Sequence, residues 1–260
     1  MAIQLNDRDY QIFKLLDEHQ VLLEKHIAWF VAPEDKPVLI RDRLRKLFYL
    51  DYLLCQRHDN KLPWWTTPTK PLVYMLAPLA RAVSGAQHSE IDIYDHDWQR
   101  NHLEIANIRM IFLIAQKEGL LKTFQWKTCL PAADNKQLYD AIISCTWQST
   151  NCSIGLISHP EPNKELSLQL AQELNNKDIT HIMIISRDQS HQESLQKLLL
   201  EFKSRTNVNS ILLATHHDLY KSGLAKVAWH NVFGEQISFS INSSSLGFGS
   251  SFGTINAASV

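Results

Sequence analysis

The sequence predicts an α/β protein in two parts: a small helical module closed by a pair of strands, then a mixed sheet flanked by helices. Three observations carry this. Through residues 5–120 apolar side chains recur at intervals of three and four, the period of a helix with one buried face. From Leu121 onward short apolar runs alternate with amphipathic helical stretches, the pattern of an α/β layer. Positive charge is concentrated in one place: Lys36–Arg81 carries nine Lys/Arg against three Asp, while the whole chain has a net charge of −1.

A chain of 260 residues with 45% hydrophobic and 20% charged residues can bury one large core or two ordinary ones. No run of about 18 apolar residues occurs, so a membrane span is not expected, and charges from Asp7 onward interrupt any signal-peptide core. The expected compartment is the cytoplasm. The four cysteines, at 55, 129, 145 and 152, include no CxxC pair and read as small core residues.

Asn6 is a natural N-cap for the helix DRDYQIFKLLDEHQ, with Asp7 and Asp9 complementing its dipole. A second helix is expected over LLEKHIAWFV. After the turn Ala32–Asp35 comes KPVLIRDRLRKLFYLDYLL. Ile40, Leu44, Leu47 and Phe48 make one stripe of its helix; Arg41, Arg45 and Lys46 lie largely off the stripe, and Arg43 is near its edge. An extended run through Leu54 and Arg57 follows, then the break DNKLPWWTTPTKP, then LVYML. Basic helix, strand, loop, strand is the order of a winged helix-turn-helix, whose helix enters a DNA major groove and whose loop is the wing. The expected contacts are Lys36, Arg41, Arg43, Arg45 and Lys46 on the helix, and Arg57, Lys61, Trp64 and Lys70 on the wing. For the adjacent pair Trp64 and Trp65 two kinds of placement are weighed: packing on sugar or insertion in a DNA groove, or capping the module or burial against the second domain; Trp65 is read as capping or buried, and Trp64 stands open.

A short helix APLARAVSG ends the module, and Glu90, Asp92, Asp95 and Asp97 form an acidic connector. His96, Asp97 and His102 are of metal-ligand type, but read as surface. Trp98–Gly119 is a long helix apolar around more than half its circumference, suited to bridging two domains or to a dimer seam. The order beyond it is β-β-β-α-β-α-β: TFQWKT, a hairpin around residues 149–151, the helix KELSLQLAQELNN, the strand THIMIISR, a helix capped by Ser190 with Glu193, and the strand SILLATHH. His216 and His217 read as a partly exposed strand end. The Ser/Gly-rich stretch from Gln236 reads as a tail, disordered from Ser240. The expected division is therefore 1–86 winged helix-turn-helix, 87–120 connector and bridging helix, 121–235 α/β domain and 236–260 tail.

LNDRDYQIFKLL, HIAWF, RDRLRKLFYLDYLL, VYMLAPLARAV and NHLEIANIRMIFLI together resemble the replication-relaxation family of plasmids and integrative elements, over roughly residues 5–120. The family's Arg-Asp of the first helix is matched by Arg8-Asp9, its Arg-Leu of the basic helix by Arg43-Leu44, and its His on the long helix by His102, with Asn107 further along. Asp51 stands where the family has Gly. The resemblance implies a winged-helix DNA-binding protein of a mobile element, accessory to mobilisation or replication, with a relaxase or replication proteins as partners. The second half resembles, more weakly, the nuclease-like α/β domain of many members. That core needs acids and a lysine around a metal. Asp140 fits the first acid, but SIGLISHPE offers no second, and Glu161 and Lys164 lie beyond Pro160.

The expectation is a non-enzymatic, duplex-DNA-binding homodimer without metal or cofactor, whose α/β half resembles a degenerate restriction-endonuclease-like fold. A transcription regulator with an α/β sensor is the first alternative. A metal-dependent nuclease is the second.

Overall fold

The computed structural model describes residues 4–34, 37–59, 62–65, 67–86, 95–129, 138–147, 149–174, 176, 178–202 and 210–237. Among them are eight α-helices and two sheets, so the chain is mixed α/β. No described helix is long and apolar enough to cross a membrane.

Helix α1 (Asp7–His19) starts at Asn6, whose side chain accepts the Asp9 N–H while Asp9 accepts the Asn6 N–H in return. This reciprocal box satisfies two donors that a helix start otherwise leaves open. Leu22–Leu23 forms strand β1 rather than the start of a helix, because it pairs with Tyr74 and Val73; α2 (Glu24–Val31) begins only after it. Helix α3 (Pro37–Tyr49) buries Ile40, Leu44 and Leu47 completely. Phe48, placed on the same stripe from the sequence, is 40% exposed. It directly follows Leu47, about 100° further round the helix, and this rotation carries it off the core face.

Asp51 turns the chain out of α3 with φ +60°, in the left-handed region that Asp tolerates better than most residues. Glycine, which the resemblance implies at this position, is suited to the same left-handed turn. Strand β2 (Leu53–Arg57) then pairs antiparallel with β3 (Leu72–Leu76), and β1 lies on the other edge of β3. Helix α4 (Pro78–Ser84) closes on Gly85 at φ +69°.

Helix α5 (His96–Lys117) is capped by Asp95 and is common to both halves. Ala106 joins the core of α1–α4, and Leu103 joins an apolar seam with Leu62, Trp64 and Met75. Ile108, Ile111, Phe112 and Ala115 lie in the core of the second half. The second half is a seven-stranded sheet in sequential order. It contains β4 (Leu121–Thr128), β5 (Ala141–Trp147), β6 (Thr150–Ser158), β7 (His181–Ser186), β8 (Ile211–Thr215), β9 (Trp229–His230) and β10 (Gln236–Ile237). Among the described strand pairs only β6–β7 and β7–β8 are parallel, and α6 (Lys164–Glu173) and α7 (Gln189–Leu199) make those crossovers. Met183 and Ile185 point to the face covered by α5 and α8 (His216–Ser222); Ile182 and Ile184 point to the face covered by α6 and α7. The result is three layers.

Several boundaries differ from the sequence reading. Helix α7 is capped by Asp188, which accepts the His191 N–H, rather than by Ser190. His216 opens helix α8 instead of ending a strand, because the Thr215 side chain caps it by accepting the Asp218 N–H. Gln236 and Ile237, the first residues assigned to the tail, pair with β9. The tail from Ser240 and most of the acidic connector lie outside the described residues, as do Lys36 and Lys61.

Candidate nucleic-acid interface

With Ile40, Leu44 and Leu47 anchored inward, α3 turns Arg41, Arg45 and Lys46 to solvent. Arg41 donates through Nε to both carboxylate oxygens of Glu24, at 3.0 Å each, and this hydrogen bonding holds its guanidinium above the ordinary value. Arg45 has Asp42 at 3.9 Å, and its side chain is 61% exposed. At such exposure an ion pair contributes little, so the charge stays available to a phosphate. At the end of β2, Arg57 donates to the Lys70 carbonyl at 3.3 Å, and in the connection to β3 Lys70 reaches Asp59 at 2.6 Å; all three residues are exposed.

Two expected contacts are elsewhere. Arg43 faces inward and grips Asp9 with two nitrogens, Nε at 2.7 Å from Oδ1 and the second on Oδ2. Asp9 is wholly buried, and its hydrogen bond holds the Arg43 guanidinium above its ordinary value. Arg43 is thus a structural cation, committed to α1. Trp64 is 3% exposed, its ring 4.6 Å from that of His216. Of the placements open from the sequence, burial is the one adopted: Trp64 packs with Val21, Leu23, Leu62, Val73 and Met75 of the first part and meets His216 of the second. Trp65, read from the sequence as the capping or buried member, is only partly buried, held by its indole N–H on the Thr69 carbonyl at 2.6 Å.

Trp65 lines a groove of about 760 Å³ between α2, α3 and the β2–β3 pair, together with Trp29, Lys25, Arg41, Arg57 and Lys70. Lys25 hydrogen-bonds Asn107 at 3.5 Å, and burial lowers its pKa to about 8. Neither Lys25 nor Trp29 is among the contacts expected from the sequence. Trp29 has the spacing of a core residue of α2, and Lys25 falls outside the cationic segment.

A second group sits where strands of the large sheet end. Glu104 of α5 contacts the His159 ring, and Arg100 reaches its other oxygen at 3.0 Å. Burial would raise the Glu104 carboxyl, but His159, His216 and Arg100 outweigh it and hold the pKa below the ordinary value. Burial lowers His216 to about 4, so it is neutral at pH 7. Correcting the sequence reading, His216 is 2% exposed, and only His217 faces solvent. The cluster escaped the sequence because its members are far apart in the chain. Asp140 lies beside it, raised to about 6 by burial, and accepts the Ser158 N–H at 2.6 Å. The β6 residues alongside Asp140 are Leu156, Ile157 and Ser158, none of them acidic or basic. Glu161 pairs instead with Arg187 at 3.2 Å.

No protein-family model matches the chain, and no curated protein matches it. Among solved structures the chain is similar to the restriction endonuclease FokI bound to DNA, with a TM-score of 0.28 and 11% identity. That alignment covers 85% of this chain and 46% of the other, so the chain spans under half of that protein.

Proposed function

We propose that this is a non-enzymatic duplex-DNA-binding protein in which α1–α3 and the β2–β3 pair act as a winged helix-turn-helix. The observation that carries the reading is the exposed cationic face of α3, with Arg41, Arg45 and Lys46, beside a strand pair with Arg57 at its end and Lys70 just before β3. A helix anchored on one face and cationic on the other can approach phosphates without unfolding anything. The Asp9–Arg43 pair supports the resemblance to the replication-relaxation family, because it joins the two motif positions, Arg8-Asp9 and Arg43-Leu44, in one contact. By that resemblance the setting is a mobile element. The protein recognises an origin in the cytoplasm, as a homodimer, for a relaxase or for replication proteins. The α/β half acts as a degenerate nuclease-like scaffold: the β6 residues alongside Asp140 are neither acidic nor basic, and the acids that share its pocket, Glu161 and Glu165, come from beyond Pro160 and not from the strand.

The test is gel-shift binding to fragments tiled across the native element, with magnesium present and cleavage scored in the same lanes. A shift near a transfer or replication origin without cleavage supports the proposal. A shift confined to a promoter favours a transcription regulator, and cleavage that is lost in Asp140→Ala favours a nuclease. The triple variant Arg41→Ala, Arg45→Ala, Lys46→Ala is expected to lower duplex affinity on the order of 100-fold. It should also flatten the salt dependence by about 0.9 in log–log slope for each phosphate that the variant no longer neutralises. Unchanged binding would move the interface away from α3.

A further inference from the structure

The groove beside α2 has features that a duplex interface does not need. Its volume of about 760 Å³ falls within the ~300–1,000 Å³ range of sites that enclose a ligand. Four cations line it, Lys25, Arg41, Arg57 and Lys70, against one carboxylate, Glu24, which Arg41 occupies. It also presents two partly buried indoles, Trp29 and Trp65. Trp65 is fixed in place by Thr69 on its nitrogen and by the Lys25 ammonium 6.0 Å from its ring centre. Trp29 has the Lys117 ammonium 5.5 Å from its ring centre. Indoles held rigid from one side lose little freedom when something stacks on them.

Bases in a duplex are already stacked and paired, so an indole in a groove has little to gain from them. Unpaired bases expose both ring faces, and stacking on aromatic side chains beside cations is how single strands are held. We propose that this groove binds a single strand of nucleic acid, with bases stacking on Trp65 and Trp29 and phosphates meeting Arg41, Arg57 and Lys70. The inference rests on the nucleic-acid reading above and shares Arg41, Arg57 and Lys70 with it, whereas Arg45 and Lys46, which belong to the duplex face, do not line the groove.

The experiment measures anisotropy of a labelled oligothymidine strand and of a labelled duplex, each about 12 nucleotides long and within the span single-strand sites cover. The full chain is used, with tryptophan quenching as a second readout. The wild type should bind the strand. Trp65→Ala should weaken strand binding about tenfold, with Trp65→Phe keeping most of it, and Arg57→Ala with Lys70→Ala should weaken it and reduce its salt dependence. Arg45→Ala with Lys46→Ala should weaken duplex binding and leave strand binding as it was. Melting curves establish that each variant is folded. Absence of strand binding by the wild type, or strand affinity unchanged in folded Trp65→Ala, overturns the groove proposal and leaves the duplex reading standing. Strand binding with no duplex binding does the reverse. Equal loss of strand binding in the Arg45/Lys46 variant would put the strand on α3 and overturn the groove. Thymidine monophosphate binding as tightly as the oligomer would make the site one for a free nucleotide, which also overturns it.

Discussion

Replacing Arg43 with Ala is expected to destabilise the protein and to leave the DNA affinity of the folded fraction intact. Asp9 is fully buried and accepts three hydrogen bonds, two from Arg43 and one at 2.8 Å from the Asn6 backbone. Without the guanidinium the carboxylate keeps only the Asn6 donor. Removing one partner of a buried pair costs about 3–5 kcal/mol. The Arg43 side chain is 20% exposed, so water can take up part of the vacated space, and about 2–3 kcal/mol is the better figure. At about 2–4 °C per kcal/mol for a chain of this size, Tm should fall by roughly 4–12 °C. Arg43→Lys should recover part of the loss, because an ammonium supplies the charge but not the two-pronged geometry. Asp9→Ala, Arg43→Ala and the double variant complete a cycle whose coupling should exceed about 1 kcal/mol. Thermal and urea melts give the stabilities, and duplex titration gives the affinity. A Tm within about 1 °C of wild type, together with an affinity loss like that of Arg45→Ala, would refute the assignment and return Arg43 to the DNA face.

Trp64→Ala should act in the same way, costing about 3–5 kcal/mol as a buried aromatic, with duplex binding by the folded fraction unchanged; urea midpoints and anisotropy check both. Stability should fall as pH drops from about 6.5 towards 4. Burial lowers His19, His26, His102 and His216 in the folded chain, the last two to about 4, so the unfolded chain takes up protons first. Each such histidine contributes up to about 1.4 kcal/mol per pH unit in that window. Asp140 works in the opposite direction, because its raised pKa of about 6 lets the folded chain bind a proton before the unfolded one does. Four groups outweigh one, and urea midpoints at pH 7 and pH 5 give the sign. A higher midpoint at pH 5 would contradict the burial of these rings.

Much of the secondary structure was legible because its causes are local. The Asn6 cap, the stop at Gly119 and the runs HIMIIS and ILLAT each carry their signal within a few residues. Strand β1 was not legible, since Leu22–Leu23 has the composition of the helix after it and becomes a strand only by pairing with β3 about 50 residues later. Helix α8 was hidden because Thr215 continues an apolar, strand-like run, although its hydroxyl is a cap. The cationic face of α3 followed from helical period alone. Arg43, at the edge of the apolar stripe, depended on whether a carboxylate waited opposite, and Asp9 supplies one from another helix. The burial of Trp64 depends on Val21, Val73 and Leu103 and on His216, more than 150 residues away, which no local pattern encodes.

The position of α5 has a consequence for how the molecule can be divided. Its side chains complete the cores of both halves, so cutting the chain on either side of it strips one half of part of its interior. Neither half is a transplantable module in the way a bead on a linker is. Denaturant should therefore melt the helical and sheet parts in one transition rather than two. Amide protons near the middle of α5, around Ala106 and Ile108, should exchange only through global opening, making them the slowest reporters of the whole fold.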